Sequence, residues 1–373
     1  MRVLHVITGL AAGGAERQLR MLLTHQRCSA EVATLTNPGQ LARELRADGL
    51  TVHEVGMRSN VDLMAVPRLA RLIRSGGFDL VHTHLFRAGI YGRLAARLAG
   101  VRHVVATEHS LGRTSIEGRR LTPWIRALYL ASERLGDATI AVSGAVAAQL
   151  ADWGVQRSRI TVIPNGIESD DFTFSRDRRT AVRASLGIPA DCFVVGSVCR
   201  LVPGKRVDLV LRSARDLAGV TVLIAGDGPE SRALGALARS LGVPAVFAGE
   251  SADVPGLLSA MDLLVMPSTA ETFGVAVIEA LAAGLPVLYT TCPALDDLPP
   301  GSVPGARRLA PDVRAFGREI AAAIHQGPQR LPPPSALEHY DMAQLAARVD
   351  ALYARVTGMA DRRVLADQRR RDR

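Results

Sequence analysis

Short apolar runs alternate along the chain with longer segments in which apolar residues recur every three to four positions. In the first half, the runs predict strands at Val3–Thr8, Glu31–Thr36, Thr51–Val55, Leu80–Thr83, Val104–Thr107, Thr139–Val142 and Ile160–Ile163. The periodic segments predict helices at Ala15–His25, Leu63–Ser75, Ala88–Ala99 and Gly144–Ala151. Such alternation is typical of a parallel sheet with helices on both faces.

The alternation stops at the polar segment 168–180 and then resumes. The second half predicts strands at Phe193–Ser197, Thr221–Ala225, Ala245–Phe247, Leu263–Met266 and Val287–Tyr289. Its helices are predicted at Val207–Ala218, Arg232–Leu241, Val254–Ala260 and Val275–Ala283, with a last helix at Met342–Val356. The fold class is therefore α/β, with two Rossmann-like, doubly wound domains.

Length supports two domains, because 373 residues exceed the size at which one hydrophobic core stops growing. Ligands of such sheets bind at the carboxyl ends of the strands, so two sheets facing each other would share a cleft. We predict an N-terminal domain at 1–168, a linker at 169–185 and a C-terminal domain at 186–340. A helix at 341–357 would cross back to the N-terminal domain, and a basic tail at 358–373 would be frayed.

Composition and charge narrow the classes of binding partner. The net charge of +9 favours nucleic acid, an anionic membrane surface or an acidic small substrate. Nucleic acid is the weakest of the three, because aromatic residues make up only 4% of the chain and form no stacking pattern. The chain has no apolar run of about 18 residues, no signal-peptide pattern, and no metal or redox spacing among its cysteines. These features predict a cytoplasmic protein with reduced thiols.

The segment 198–208 is a candidate anion site. A strand ends near Arg200, a Pro-Gly turn follows, and a helix begins near Arg206. Arg200 and Lys205 would flank the helix N-terminus, where free N–H groups already favour an anion such as a diphosphate. A solvated basic loop is the alternative. The chain contains a single lysine, Lys205, and a compact ammonium suits a phosphate, which favours the anion site.

The segment 267–280 contains a second candidate site. The strand Leu263–Met266 leads into a loop with Glu271, and a helix begins near Gly274. The amides of Phe273, Gly274 and Val275 would face the cleft and could bind phosphate oxygens. Glu271 could reach sugar hydroxyls, and Glu279, one turn into the helix, suits a ribose. The alternative is two surface glutamates that flank a helix start. The Gly226 turn, Ala225–Pro229, is a weaker signal and can be explained as a tight strand-to-helix turn.

The first half contains a glycine loop and several histidines at strand ends. Gly13 and Gly14 follow the first strand, but the glycine spacing is not the G-x-G-x-x-G of a dinucleotide-binding loop, which argues against an NAD-binding site. His82, His84 and His109 end strands. A histidine in such a position is more often structural than catalytic, and metal ligation by two histidines and a glutamate is a minor alternative.

The stretch 113–134 mixes arginines with large apolar residues. A basic amphipathic helix of this kind can lie on an anionic membrane. A core-packing helix with a solvated rim is the more common explanation.

Several of these motifs together resemble the retaining GT-B glycosyltransferases of family 4, of the type that builds bacterial cell envelopes and polysaccharides. Glu271 and Glu279 match the E-x7-E motif of that family. The accompanying matches occur in the family's order, over roughly residues 1–357, at Gly13–Arg17, Val162–Ile167, Arg200 with Lys205, Ala225–Pro229 and Ala283–Val287. Any one of these motifs is weak, whereas their ordered combination is specific.

The resemblance implies roles for individual residues. Arg200 and Lys205 would bind the donor diphosphate, with the amides of Phe273–Val275; Glu271 would bind the sugar hydroxyls and Glu279 the ribose. Gly13 and Gly14 would approach the donor phosphates or the acceptor, and Gly226 belongs to the same donor site. His109 matches the position beside the transferred sugar. Arg17, His82 and His84 are acceptor-side candidates. No cofactor and no divalent metal are expected.

The predicted activity is transfer of a hexosyl or N-acetylhexosaminyl unit from a nucleoside diphosphate sugar, with retention and with UDP favoured over GDP. Glu271, His109, Arg200 and Lys205 are the predicted catalytic residues. The acceptor is a hydroxyl of a glycan, a lipid-linked sugar or a small molecule. The alternatives are a sugar-nucleotide epimerase or hydrolase, and a non-catalytic nucleotide-sugar-binding subunit. We expect a cytoplasmic enzyme with possible peripheral contact at the inner face of the membrane and no nucleic-acid partner.

Overall fold

The computed structural model describes residues 1–11, 13–112, 115–117 and 119–359, which form two compact units. Unit 1 contains Met1–Gly166 together with the chain from Met342 onward, and unit 2 is the continuous segment Ile167–Asp341. Among the described helices, none is long and apolar enough to cross a lipid bilayer. Most of the predicted basic tail, 358–373, lies outside the described residues.

Unit 1 is built on a seven-stranded parallel sheet. Its strands, with one short hairpin, are β1 Arg2–Ile7, β2 Ser29–Thr34, β3 Val52–Glu54, β4 Leu80–His84, β5 His103–Glu108, β6 Ser115–Ile116, β7 Arg119–Arg120, β8 Ala138–Ala141 and β9 Ile160–Val162. Its helices in this part of the chain are α1 Gly14–His25, α2 Gly39–Ala47, α3 Ala65–Gly76, α4 Phe86–Ala99, α5 Pro123–Glu133 and α6 Gly144–Trp153. The sheet order is β3-β2-β1-β4-β5-β8-β9, and β6 pairs with β7 in a separate antiparallel hairpin.

The strand order of unit 1 reverses between β1 and β4, which pair directly with His5 opposite His82. Loops that follow strands on the two sides of such a reversal diverge and leave a crevice at the carboxyl ends. Five of the six residues of β1 and all five of β4 are buried, because helices cover both faces of a parallel sheet. The residues that follow these strands are therefore placed where ligands of doubly wound folds bind.

Unit 2 repeats this architecture on six parallel strands. The strands are β10 Phe193–Val198, β11 Val220–Ala225, β12 Ala245–Gly249, β13 Leu263–Met266, β14 Val287–Tyr289 and β15 Ala306–Arg308. The helices are α7 Arg176–Ser185, α8 Val207–Ala214, α9 Ser231–Leu241, α10 Val254–Ala260, α11 Val275–Ala282, α12 Pro293–Asp296 and α13 Val313–Gln326. The sheet order is β12-β11-β10-β13-β14-β15, so the order reverses between β10 and β13.

The predicted linker, 169–185, is wrong, because this segment belongs to unit 2 and contains α7. The helix is anchored by polar contacts. Arg179 and Arg183 both pair with the carboxylate of Asp262, at 2.8 and 2.7 Å, and Arg183 Nε donates to the carbonyl oxygen of Ala260 at 2.9 Å. Arg183 and Asp262 are buried. A helix attached in this way needs no apolar stripe, so the hydrophobic pattern gave no signal for it.

The last helix, α14 Met342–Thr357, packs in unit 1, as the sequence predicted. Leu345, Val349 and Leu352 join a core that also contains strand residues of the N-terminal segment. The Tyr353 hydroxyl hydrogen bonds to His82 Nδ1 at 2.5 Å. The C-terminal part of the chain therefore completes the hydrophobic core of unit 1.

Every strand predicted from the apolar runs is present, with ends that differ by a few residues. The helices α2, α12 and α13, the edge strand β15 and the hairpin β6–β7 were not predicted. The strands β6, β7 and β15 and the helix α12 have only two to four residues each, too few to show a period, whereas α2 and α13 are clearly amphipathic and the sequence interpretation overlooked them.

Candidate functional site

Three loops of unit 2 meet at the carboxyl ends of β10, β11 and β13, where the strand order reverses. The amide of Leu201 donates to the carbonyl oxygen of Asp227 at 2.9 Å, and the amide of Glu230 donates to that of Leu201 at 3.1 Å. The amide of Thr269 donates to the carbonyl oxygen of Gly204 at 2.9 Å. Main-chain hydrogen bonds therefore hold the three loops against one another, and their geometry does not depend on side chains.

Lys205 and Glu271 form an ion pair between two of these loops. Lys205 ends the single turn Pro203–Lys205 that precedes α8, and its Nζ donates to Glu271 Oε1 at 2.6 Å. The two side chains are 21% and 10% exposed, so water screens the pair only partly. The structure thus brings together the two residues that the sequence assigned to the donor diphosphate and to the sugar.

Arg200, the other predicted diphosphate ligand, lies at the start of the same loop and is exposed. Within the described part of the chain its guanidinium makes no salt bridge, whereas its backbone carbonyl accepts from the amide of Val202 at 2.9 Å. The structure does not bring Arg200 into contact with Lys205 or Glu271. Its role in binding the donor remains a prediction.

The turn at Gly226 requires glycine for reasons internal to the fold. Gly226 has φ of 123°, and a Cβ atom there would meet the carbonyl oxygen of Cys199. Its amide donates to the carbonyl oxygen of Gly249 at 2.7 Å. The close approach of the loops after β10 and β11 is a sufficient explanation for this glycine, and a contact with the donor stays a prediction.

Packing and main-chain hydrogen bonds with residues of later segments fix the start of α11. Gly274 adopts φ of 102°, and a Cβ atom there would lie 2.5 Å from Cys292 Sγ. Phe273 is buried, with its ring 5.2 Å from that of Tyr340 in an edge-to-face arrangement, and its carbonyl oxygen accepts from the amide of Ala294 at 2.9 Å. The first amides of a helix have no acceptor within the helix, and the helix dipole makes this end positive. These features form a rigid, electropositive platform beside Glu271.

Val275 and Glu279 occupy successive turns of α11 and are half-buried. The spacing places them on one face of the helix, as predicted. The ribose contact of Glu279 and the phosphate contacts of the Phe273, Gly274 and Val275 amides stay predictions.

In unit 1, the loop after β1 leads into α1 at Gly13 and Gly14. A Cβ atom on Gly13 would meet the carboxylate of Glu16, so this glycine allows the Glu16 side chain to fold back over the helix start. Gly14 is different, because a Cβ atom there would meet nothing within 4 Å. The fold therefore does not require glycine at this position, and its bare backbone leaves room for a ligand. Arg17, half-buried in the first turn of α1, stays an acceptor-side prediction. Ala12 lies outside the described residues.

The structure brings the three predicted histidines together and adds a fourth, His5 on β1. His84 Nε2 lies 3.0 Å from His5 Nδ1, and His84 Nδ1 lies 3.3 Å from His109 Nε2. His82 Nε2 lies 2.7 Å from the hydroxyl of Thr107. His5, His82 and His84 are buried, whereas His109 is half-buried just after β5. An acceptor-side effect of His82 or His84 would have to act through another residue, so these assignments remain untested.

Burial keeps these rings neutral. It lowers the pKa of His109 to about 4, although a hydrogen bond with Asn165 acts in the opposite direction. Burial also lowers the pKa of His5 to about 4, although a hydrogen bond with Gln26 Oε1 acts in the opposite direction, and it lowers the pKa values of His82 and His84 well below the ordinary value. At neutral pH the cluster therefore has no charge to contribute to an anionic ligand.

His5, His82 and His84 each offer a nitrogen atom within 4.8 Å of the other two, an arrangement that could hold a metal ion. All six of their ring nitrogens, however, are within hydrogen-bond distance of another protein group, including Tyr353 and Gln26. A metal ion would have to displace several of these bonds in a buried site without a carboxylate ligand. The arrangement fits a hydrogen-bonded cluster better than a metal centre.

Sequence reasoning missed His5 and Cys292. His5 lies inside an apolar strand and is recognisable only from the pairing of β1 with β4, which sets it opposite His82. Cys292 is distant in sequence from Gly274, and no local pattern reveals that its thiol packs behind the helix start.

Comparisons with known proteins identify the family of this chain. The model of Glycosyltransferase Family 4 matches residues 12–171, and the model of Glycosyl transferases group 1 matches residues 192–326. The D-inositol 3-phosphate glycosyltransferase of Mycolicibacterium smegmatis is 31% identical over 374 residues, which cover 94% of this chain and 84% of the relative. The protein of the same name from Mycobacterium tuberculosis is 32% identical over 272 residues, which cover 67% of this chain and 55% of the relative.

Solved structures share the fold of this chain. HepE of Anabaena in complex with UDP-glucose has a TM-score of 0.83 and 23% identity, covering 95% of this chain and 99% of that one. WaaG, a glycosyltransferase involved in lipopolysaccharide biosynthesis, has a TM-score of 0.68 and 18% identity, covering 94% and 99%. At these identities the likeness establishes the fold, which is GT-B. The family matches, the relatives and the fold together show that this chain belongs to glycosyltransferase family 4 and is a hexosyltransferase that uses a nucleotide sugar.

Proposed function

We propose that this enzyme transfers a hexosyl or N-acetylhexosaminyl unit from a UDP-sugar to an acceptor hydroxyl with retention of anomeric configuration. The observation that carries the proposal is the 2.6 Å ion pair between Lys205 and Glu271 beside the N-terminus of α11. It places one cation, one carboxylate and a set of helix amides at the same edge of the unit 2 sheet. A departing diphosphate and a sugar with free hydroxyls need these groups.

Departure of the diphosphate is the difficult step, because negative charge accumulates on it while an oxocarbenium-like sugar forms. Lys205, Arg200 and the amides of Phe273–Val275 would stabilise that charge, the largest single contribution expected in such a site. Glu271 would accept hydrogen bonds from the sugar hydroxyls once the phosphate has taken its place beside Lys205. Donor binding would thus exchange a lysine–carboxylate pair for a lysine–phosphate pair.

Retention is what the resemblance to the retaining family implies, and here it would have to be reached without a pair of carboxylates at the sugar. Retaining glycosidases use two carboxylates about 5–5.5 Å apart, one of them as nucleophile. In this enzyme Glu271 is the one we place at the sugar, with Glu279 at the ribose. We propose that the acceptor attacks on the face from which the diphosphate departs, and that the leaving phosphate takes the acceptor proton.

Two names among the similar proteins support particular substrates. The complex of HepE with UDP-glucose supports UDP over GDP as the nucleotide. The name D-inositol 3-phosphate glycosyltransferase supports a small hydroxylated acceptor, to be tested beside glycans and lipid-linked sugars. We propose that no divalent metal takes part, because Lys205, Arg200 and the helix amides provide the positive charge that a metal ion would bring.

The proposed function can be tested by thermal-shift measurements with a panel of nucleoside diphosphates and their sugars, followed by NMR of the product anomer. A ligand that binds only the folded state raises the midpoint. We expect UDP and UDP-sugars to raise the midpoint of thermal unfolding more than GDP does. We also expect transfer to proceed in the presence of EDTA and to give a product with retained anomeric configuration. An inverted product, or consumption of the donor with a single epimerised or hydrolysed product and no acceptor, would overturn the proposal.

Contact with an anionic membrane is supported by α5. Trp124 is 75% exposed, and Leu128 is exposed one turn later on the same face, whereas Arg126 points to another face and donates to the carbonyl oxygens of Asp152 and Trp153. An exposed tryptophan and leucine on one helix face suit a membrane interface, and the net charge of +9 favours an anionic one. We propose that unit 1 binds the inner face of the cell membrane peripherally through this helix. In flotation at low salt, the wild-type enzyme should rise with anionic liposomes, whereas the Trp124→Ser variant should not. If both proteins float with the liposomes, or neither does, the proposal is contradicted. Arg113 and Thr114, in the same basic stretch, lie outside the described residues.

A further inference from the structure

Tyr340 is a buried tyrosine of unit 2 that packs against Phe273, just before α11. It ends a single helical turn, Ser335–Tyr340, and its side chain is fully buried. Its ring lies 5.2 Å from the ring of Phe273, and its hydroxyl donates to the carbonyl oxygen of Ala294. Burial raises the pKa of Tyr340, so the hydroxyl keeps its proton and remains a donor. The main-chain carbonyl oxygen of Tyr340 accepts from the amide of Ile167 at 2.8 Å, which fixes its backbone as well.

Ala294 connects Tyr340 with Phe273 through both of its main-chain groups. Its carbonyl oxygen accepts from the Tyr340 hydroxyl, and its amide donates to the carbonyl oxygen of Phe273 at 2.9 Å. This amide is available because Ala294 lies in the first turn of α12, where N–H groups have no acceptor within the helix. The Cys292 thiol donates to the same Phe273 carbonyl at 3.4 Å. Two donors therefore fix the direction of this carbonyl, and Tyr340 holds one of them in place.

The direction of the Phe273 carbonyl decides where the next amide points. A trans peptide group is planar, with its C=O and the following N–H on opposite sides. Because the Phe273 carbonyl is directed at Ala294, the Gly274 N–H is directed away from Ala294. The same rule applies one residue later. The Gly274 carbonyl accepts from the amide of Val277 at 3.0 Å along α11, so the Val275 N–H points out of the helix start.

We propose that Tyr340 is a positioning residue for the departing diphosphate, which acts through Ala294 to fix the peptide plane between Phe273 and Gly274, so that the Gly274 amide donates to a phosphate oxygen. The inference rests on the proposed function, because that function places the diphosphate at these amides. Amides that are already aimed need no reorganisation when charge develops on the leaving group. Tyr340 itself is fully buried and acts through the main chain.

The test compares a nucleoside diphosphate with its nucleoside, which lacks the phosphates. The probes are UDP and uridine or, if the thermal-shift panel selects GDP, GDP and guanosine. Tyr340→Phe keeps the ring and removes the hydroxyl that holds Ala294. We expect the Kd for the diphosphate to rise on the order of 10-fold, the size of one hydrogen bond to a charged group, and kcat to fall. The Kd for the nucleoside should not change. Calorimetry measures the first Kd, and ligand-detected NMR measures the second.

Tyr91→Phe is the matched control. Tyr91 lies in unit 1, and this variant also loses a hydroxyl that hydrogen bonds to the main chain, at the amide of Asp62 at 3.0 Å. Both Kd values should stay at their wild-type level in this control. A merely structural role of Tyr340 would lower the free energy of unfolding or weaken the binding of diphosphate and nucleoside equally. Equal weakening of both ligands in Tyr340→Phe, or no weakening of the diphosphate, would overturn the proposal.

Alkylation of Cys292 tests the same contact without any ligand. The thiol is fully buried and burial raises its pKa to about 12, so iodoacetamide reacts with it only when the start of α11 opens locally. Because Cys292 Sγ donates to the Phe273 carbonyl, a loosened carbonyl in Tyr340→Phe should speed this reaction several-fold. Cys192, which is half-buried elsewhere in unit 2, is the internal reference. Mass spectrometry of the alkylated peptides measures both rates, and an unchanged rate at Cys292 would refute the positioning role.

Failure of the proposed function would give a different result. If no nucleoside diphosphate bound the wild-type enzyme, the proposed function would be refuted, whereas the rates at Cys292 would still show whether Tyr340 holds the Phe273 carbonyl. If the wild-type enzyme bound UDP and Tyr340→Phe bound it equally well, the positioning role alone would be refuted.

Discussion

Lys205 Nζ lies 2.6 Å from Glu271 Oε1, so in the absence of donor the cation and the carboxylate of the site neutralise each other. The pair joins two loops that follow neighbouring strands, β10 and β13. A diphosphate that binds Lys205 must compete with Glu271, and the freed carboxylate then becomes available to sugar hydroxyls. In the proposed mechanism, the donor would therefore create its own sugar-binding group on arrival.

Substitution of each partner should have a different effect. Glu271→Ala removes the sugar contact, so we expect transfer to be abolished, while UDP should still bind, at least as tightly as before, because the competitor for Lys205 is gone. Lys205→Ala removes the phosphate contact and leaves Glu271 without its cation, so both binding and transfer should weaken. Calorimetric titration with UDP and a turnover assay separate the two effects. Asp208→Ala, which breaks a half-exposed pair with Arg206, is the matched control and should affect neither. Normal turnover in Glu271→Ala would refute its assignment to the sugar.

The single lysine of this chain makes the donor site accessible to amine chemistry. Apart from the N-terminal amine, Lys205 is the only primary amine in the protein. If UDP occupies the site, its diphosphate should protect Lys205 from acylation while the N-terminus stays reactive and serves as the internal control. Mass spectrometry of the acylated peptides at increasing UDP concentration measures this. Equal labelling of Lys205 with and without saturating UDP would place the nucleotide elsewhere.

Gly274→Ala should destabilise unit 2 and disturb the start of α11. The backbone has φ of 102°, and the new methyl group would lie 2.5 Å from Cys292 Sγ. We expect a loss of about 1–3 kcal/mol from backbone strain, increased by the steric conflict. Urea unfolding measures the change. Gly242→Ala is the control, because Gly242 also has positive φ, 67°, but has no neighbour within 4 Å of a Cβ atom.

The contribution of Cys292 can be separated with a double-mutant cycle. Cys292→Ala removes the thiol that the new methyl group would meet, so it should recover part of the loss caused by Gly274→Ala. Strictly additive effects of the two substitutions would show that the thiol is not the obstacle.

Stability should fall as the pH falls from near 6.5 towards 4. The pKa of His5 is lowered from 6.5 to about 4, so between these values the unfolded chain binds a proton that the folded chain does not. The contribution of neutral His5 to the free energy of unfolding is complete above the pKa of the unfolded state. It is lost as the pH falls towards the pKa of the folded state, with a limit of roughly 3 kcal/mol for one such histidine. Urea unfolding across this range measures it. His5→Asn should reduce the dependence, whereas His339→Asn, at an exposed position of unit 2, should leave it unchanged.

The sequence predicted both sheets because parallel strands covered on two faces are nearly continuous apolar runs. It predicted two candidate sites, one with Lys205 and one with Glu271, and the family resemblance assigned both to the donor. It could not predict their contact, since the contact depends on loop conformations. It placed a linker where α7 lies, because that helix is attached through Arg183 and Asp262, and ion pairs leave no periodic signal. The histidine cluster could not be predicted for a related reason: His5, His82 and His84 lie on two neighbouring strands and His109 follows a third, so their contacts exist only in the folded sheet.

The division of the chain has a consequence for its synthesis on the ribosome. Unit 2 occupies one uninterrupted stretch, Ile167–Asp341, whereas unit 1 needs α14, which is translated after all of unit 2. Domains tend to fold as their segments emerge, so the second lobe can mature while the first still lacks Tyr353 and the rest of its final helix. Premature termination after residue 341 would therefore release a nascent chain with a finished donor half and an open apolar surface on the other, a natural substrate for chaperones and proteases.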